Sequence, residues 1–285
     1  MKIGFGLPNA IPDIPGGQLI VDLARQAERL GFSSVATIGR LAYPGHEELV
    51  TLAAVAGATQ RIGLFTDVLL GPTREPALLA KQAATLDQVS GGRFVLGAGV
   101  GIREDDFSVS GTDFKTRGRR WDAALELMHR AWRGEPVEGS QRPISPRPVN
   151  GESVPMMFGG RAEQAIARVV RYGIGYTQGS GGAKPLAEMK ERVEKAWREA
   201  GRAGRPEFRG LAYFAIGEET YEHAARNLAD YYGGYGERIW ATAAKDAATA
   251  QERVREFEAA GCDELVFFGE APGPEQLDRL AEAVL

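Results

Sequence analysis

Three glycine-rich runs are the first places in this sequence where backbone could meet a ligand: Gly97 to Gly101, the turn Gly159-Gly160-Arg161, and TQGSGGAK from Thr177 to Lys184. Glycine lets N–H groups converge on an anion, and Arg161 and Lys184 place a cation beside two of the runs. Gathered at one place, they would suit a phosphate-bearing ligand. The string GAGVG is not a dinucleotide fingerprint, since it misses the GxGxxG spacing and no helix follows at once. Other catalytic equipment is thin. Of the three histidines, His129 and His223 fall within helical stretches, and only His46 stands near a strand end. No HxH pair suggests a metal site, and no strand interior carries a lysine for Schiff-base chemistry. Cys262 is the only cysteine and precedes an apolar strand, so it reads as a small buried side chain. A ligand site without an evident catalytic set points to a cofactor that brings the chemistry.

The elements that must position these runs follow one repeated unit, seen most clearly from Ala80 to Gly101. Leu79, Ala83, Leu86 and Val89 recur at helical spacing, Gly91-Gly92 ends the helix, and RFVLGAG reads as a strand buried on both faces. The same alternation predicts strands at Lys2–Leu7, Ser33–Thr37, Arg61–Leu70, Val154–Gly160, Gly173–Gln178, Leu211–Gly217 and Asp263–Gly269. Eight buried strands alternating with helices fit a (β/α)8 TIM barrel better than the alternative, an open doubly wound sheet. In a barrel, function collects where strands run into the following helices. The chain is expected to form a single domain, 1–285, with an irregular excursion at about 134–153 that is rich in Pro, Gly and Ser. A longer connection, IREDDFSVSGTDFKT, follows the fourth strand.

Composition narrows the classes further. The 285 residues are 44% apolar, enough for a large core, and no apolar run approaches the length of a membrane span. A net charge of -4 gives no basic footprint for nucleic acid. No signal-peptide pattern precedes Pro8, so a soluble, cytoplasmic protein is expected.

The run RIGLFTDVLLGPTREPALLAKQAATLDQVSGGRFVLGAGVG, followed by DDFSVSGTDFKTRG and later by GCDELVFFGEAPGPEQLDRLAEAVL, resembles the signature of the luciferase-like monooxygenase family. The resemblance implies a barrel that uses reduced FMN with oxygen, or coenzyme F420 as a hydride carrier. It implies a strand-three bulge, often a non-proline cis peptide, at Thr66, Asp67 and Val68. It further implies a strand-four wall at Gly99, Val100 and Gly101, and a phosphate-side turn at Gly159, Gly160 and Arg161. Arg40 stands where many members place a polar residue facing cofactor or substrate. In the F420 form, Arg40, His46 or Glu104 would handle protons. Two departures are visible: Val100 stands where luciferase-branch members commonly carry an arginine, and Gly39, Arg40 and Ile102 stand where the F420 sugar-phosphate dehydrogenases carry acid–base residues.

The expected activity is flavin-dependent oxidation of a small organic substrate with reduced FMN and oxygen, with F420-dependent hydride transfer as the alternative. The resemblance also implies a homo-oligomer, and a separate flavin or F420 reductase is a possible partner. The connection after strand four and the segment YYGGYGERIW are candidate substrate walls. A non-catalytic flavin-binding barrel is a rival of another class. So is an unrelated phosphate-binding barrel such as a sugar-phosphate isomerase, which would need a strand-end glutamate or lysine base that this reading does not find.

Overall fold

In the computed structural model, which describes residues 1–12, 14–137, 139–271 and 273–285, parallel pairing runs without a break around a closed sheet. The strands are β1 (Lys2–Gly6), β2 (Ser34–Thr37), β3 (Gly63–Thr66), β4 (Leu69–Leu70), β5 (Phe94–Gly99), β6 (Met156–Phe158), β7 (Gly175–Gln178), β8 (Glu207–Phe214) and β9 (Glu264–Gly269). β1 pairs with β2 on one side (Phe5 opposite Val35) and with β9 on the other (Ile3 opposite Leu265). β3 and β4 are two pieces of one stave, since both lie against β5, with Leu64 opposite Phe94 and Leu69 opposite Ala98. The nine segments therefore make the eight staves of a TIM barrel.

The helices are α1 (Gly17–Leu30), α2 (Glu48–Ala58), α3 (Pro76–Ser90), α4 (Glu104–Ser110), α5 (Arg117–Trp132), α6 (Glu163–Tyr172), α7 (Ala183–Glu199), α8 (Tyr221–Tyr232), α9 (Gly236–Thr242), α10 (Ala247–Ala259) and α11 (Pro274–Val284). Their apolar faces meet the outer faces of the staves. In α3, Leu79, Ala83 and Leu86 are buried, Glu75 caps the first turn by accepting from the Ala77 and Leu78 N–H groups, and Gly91 closes the helix at φ 66°. Trp121, Leu125, Met128 and Trp132 of α5 are buried, and Trp132 donates its indole N–H to the Ala80 carbonyl of α3 at 2.9 Å. Each such side chain contributes roughly 2–3 kcal/mol by leaving water.

Two differences from the sequence reading have plain causes. The connection after β5 contains a helix, α4, opened by Glu104, Asp105 and Asp106 at its positive end. β8 begins four residues earlier than the apolar run, at Glu207 instead of Leu211. Arg209 lies ahead of the expected strand, but its side chain is almost buried, packs 4.6 Å over the Phe65 ring and pairs with Glu264 at 3.1 Å. Glu264 in turn accepts from Ser33 Oγ at 2.5 Å and Ser34 Oγ at 2.7 Å. The amino end of the barrel is thus closed by an ionic plug. Between α5 and β6 the described residues form no helix or strand, and position 138 of the expected excursion lies outside them.

His129 sits inside α5, stacked on Tyr172 with centroids 4.6 Å apart, and its Nε2 has no hydrogen-bond partner. Burial, helped by Arg133, pushes its pKa down to about 4. The folded state therefore resists a proton that the unfolded chain accepts near pH 6.5, so stability is full above that pH and is lost as pH falls toward 4. Replacing His129 by Phe, which keeps the stacking, is expected to remove about 1–2 kcal/mol of that acid loss, read by urea unfolding at pH 7 and pH 4.5.

Candidate active site at the carboxyl ends of the strands

The staves open at their carboxyl ends into a cavity of about 290 Å³, with Val68, Gly99, Gly159 and Thr177 among its walls. Missing side chains make this space. A Cβ on Gly99 would lie 3.0 Å from Val68 Cγ2 and one on Gly159 3.6 Å from Val68 Cγ1, whereas Gly97, outside the cavity, is bare because a Cβ there would lie 1.9 Å from the Thr66 carbonyl oxygen. Val68 therefore stands between two bare staves as an apolar ledge. The Asp67–Val68 peptide is cis, at the place where the sequence reading expected the bulge. Thr66 is turned away from the opening and donates its hydroxyl to the Gly97 carbonyl at 2.7 Å, tying the third and fourth staves together.

Asp67 is 4% exposed. Its Oδ1 accepts from the Thr177 hydroxyl at 2.8 Å, while Oδ2 has no partner. Burial pushes the carboxyl up to about 7, against the opposing pulls of the Thr177 bond and the Arg209 charge. A carboxyl held near neutrality in a pocket is able to exchange a proton with what lies beside it.

The rim is aromatic. Arg103 lies 5.0 Å over Tyr231 and 5.5 Å over Tyr232, and donates to the Tyr231 carbonyl at 3.1 Å. The Tyr232 and Tyr213 hydroxyls are 2.5 Å apart, and burial pushes Tyr232 up to about 12. The connection after strand four, expected as a substrate wall, supplied Arg103 without singling it out, and Tyr213 was missed. The hydroxyl pair joins the end of β8 to the end of α8, and no short-range spacing marks such a pair, although YYGGYGERIW did supply Tyr231 and Tyr232.

Asp67, Val68, Gly99, Val100, Gly101, Gly159 and Gly160 are brought together around the cavity. Thr66, turned away, is not among them, and neither are four other candidates. Arg40 is bound to Asp105 and Asp106; burial opposes its charge, but these carboxylates outweigh it and hold the guanidinium above its ordinary pKa, which leaves no proton to give at working pH. His46 is exposed and borders a separate crevice of about 120 Å³ beside Glu48 and Arg74. Glu104 is exposed at the start of α4, drawn to the helix end and away from the opening. Arg161 is exposed and pairs with Glu188 at 3.5 Å. A strand-end glutamate does exist: Glu270 directly follows β9, lines a narrow crevice beside Tyr231, and is pushed well above the usual carboxylate range by burial. It escaped notice because glycine and proline around it read as a turn. Among the described residues no group of His, Cys, Asp and Glu is gathered as a metal site, and no helix is long and apolar enough to cross a membrane.

Residues 1–277 match the family described as luciferase-like monooxygenase. The chain belongs to that family. An F420-dependent glucose-6-phosphate dehydrogenase of Nakamurella multipartita is 32% identical over 205 residues, covering 64% of this chain and 60% of that protein. Among solved structures, an F420-dependent secondary alcohol dehydrogenase in complex with an F420–acetone adduct superposes with a TM-score of 0.79 at 18% identity, over 99% of this chain and 98% of the other. The oxygenating constituent of 3,6-diketocamphane monooxygenase from Pseudomonas putida, in complex with FMN, gives 0.72 at 17% identity, over 100% and 99%. At these identities the structures establish the shared barrel.

Within this family member Gly97 and Gly159 differ in what they tolerate. Gly97→Ala drives a methyl group into backbone and is expected to destabilise by more than about 3 kcal/mol or to prevent folding. Gly159→Ala meets nothing closer than 3.5 Å and is expected to remain within about 1 kcal/mol of the parent in urea unfolding.

Proposed function

We propose that the chain is an oxidoreductase working with a reduced flavin at the barrel mouth, FMN with oxygen acting on a small organic substrate. The observation that carries this reading is the ledge. Val68 between Gly99 and Gly159 offers a flat apolar seat that ordinary side chains at those two positions would fill, and a planar fused ring fits it. Val68 would lie against such a ring. The main chain of Gly99 to Gly101 and of Gly159-Gly160 would serve its sugar and phosphate side, and Arg103 is the guanidinium among the described residues lining the opening. Bound there, the reduced cofactor would supply the redox chemistry, oxygen activation for FMN or hydride for F420.

The protein's own part is orientation and exclusion of water. Ile38, Leu211 and Tyr231 supply wall surface above the ledge, and the Tyr213–Tyr232 hydroxyl pair gives the rim a fixed polar point. Oxygenation asks mainly for these services. Hydride transfer would also call on a proton handler; Arg40, His46 and Glu104 do not reach the cavity, and Asp67 in its floor is the carboxyl that does. F420 stays as the second reading because Val100 leaves the luciferase-branch arginine position without a cation, and because a relative at 32% identity carries an F420-dependent name.

Titration of the purified apo-protein with FMN and with F420, oxidised and reduced, followed by fluorescence and calorimetry, is expected to give saturable binding with FMN preferred. Gly159→Leu should keep the far-ultraviolet dichroism of the parent and weaken binding at least about tenfold. Tight F420 binding with negligible FMN binding would move the reading to hydride transfer. Binding of neither would overturn it and leave the barrel alone.

A further inference from the structure

The Asp67 carboxyl is built into the floor and left half-satisfied. The Asp67 N–H is committed to the Thr37 carbonyl at 2.7 Å, which fixes the main chain, and Thr177 holds Oδ1 at 2.8 Å, a bond the side chain loses if it swings away. Its other oxygen, Oδ2, is buried without a partner in a residue that lines the cavity. A buried oxygen with nothing to bond is costly unless a ligand or a proton satisfies it.

The surroundings decide which. The charged groups acting on Asp67 are Arg209 on β8, which favours the ionised form, and Glu264 on β9, which opposes it. These two are already paired with each other, so their effects largely offset. β7 contributes the Thr177 hydroxyl and the phenol of Tyr176, β2 contributes the Thr37 carbonyl, and β5 and β6 present glycine and main chain. The open, polar solvent space of the mouth is the remaining support for a negative charge there, and an occupant of the ledge would replace it with an apolar ring.

We propose that Asp67 takes up a proton when the mouth is filled, so that ligand binding at this site is coupled to protonation of the carboxyl whose Oδ2 then donates to an acceptor atom of the bound ring. The inference rests on the flavin reading of the ledge, and it adds a group that the ordinary pattern of catalytic candidates did not include. The sign follows from burial: covering the carboxyl favours its neutral form, so the protonated protein binds more tightly. Affinity therefore falls as pH rises through the range in which the free protein gives up this proton.

The test is calorimetric titration of wild type and Asp67→Asn with FMN and with F420, at pH 6 and pH 8, each in two buffers of different ionisation enthalpy. The wild type is expected to take up almost no proton at pH 6 and to approach one at pH 8, with the dissociation constant rising up to about tenfold per pH unit above neutrality. Asp67→Asn should lose both effects. The difference between the two proteins removes the titration of the FMN phosphate itself, whose second pKa is about 6. Thr177→Val, which keeps Asp67 but removes a bond that favours the ionised form, should move the uptake to higher pH. It also serves if the asparagine variant misfolds by dichroism. Equal proton uptake in wild type and Asp67→Asn, or proton release on binding, overturns the inference while leaving the flavin reading intact. Failure of the wild type to bind either cofactor overturns the flavin reading, and this inference falls with it.

Discussion

The close approach of Thr66 to Gly97 governs the architecture of the mouth. With the Thr66 carbonyl oxygen 1.9 Å from the place a Cβ would take, the fourth stave can lie against the third only if that position has no side chain. The Thr66 hydroxyl then reaches the Gly97 carbonyl and fixes the register of the two staves at their upper ends. From that lock the chain turns through Asp67 and Val68, one side chain going to the Thr177 hydroxyl and the next onto the ledge. Ledge, carboxyl and opening are thus consequences of one steric requirement met between two neighbouring staves.

Much of the fold was readable because buried parallel strands are nearly continuous apolar runs and each helix carries a clear apolar face. Boundaries failed where tertiary pairing reversed the local signal. Arg209 reads as a loop residue until Glu264 and the Phe65 ring are placed beside it, and these lie far away in the sequence. α4 was hidden in a connection because its length is seven residues, too short for apolar periodicity to show, although three acidic residues at its start were a usable sign.

The candidate site was legible in one of its two materials. Backbone features could be located, since glycine at strand ends and the family-like bulge each occupy one short stretch; Asp67, Val68, Gly99 and Gly159 meet around one cavity. Side-chain chemistry could not. Arg40, His46 and Glu104 were chosen for residue type near strand ends, but whether such a group faces the opening depends on partners elsewhere, and Asp105 and Asp106 decide it for Arg40. The same limit concealed Tyr213 at the rim and Glu270 in the neighbouring crevice, both set in place by elements meeting at the barrel's end. The raised pKa of Asp67 is likewise a product of burial, invisible in the letters around it.

The ion pair of Arg209 with Glu264, backed by Ser33 and Ser34, closes the opposite end of the barrel. Among the described residues the ledge is therefore approached from the carboxyl ends of the strands, above a closed floor. A cofactor seated on the ledge would thus lie beneath any substrate that followed it, and would be slower to leave while that substrate stayed.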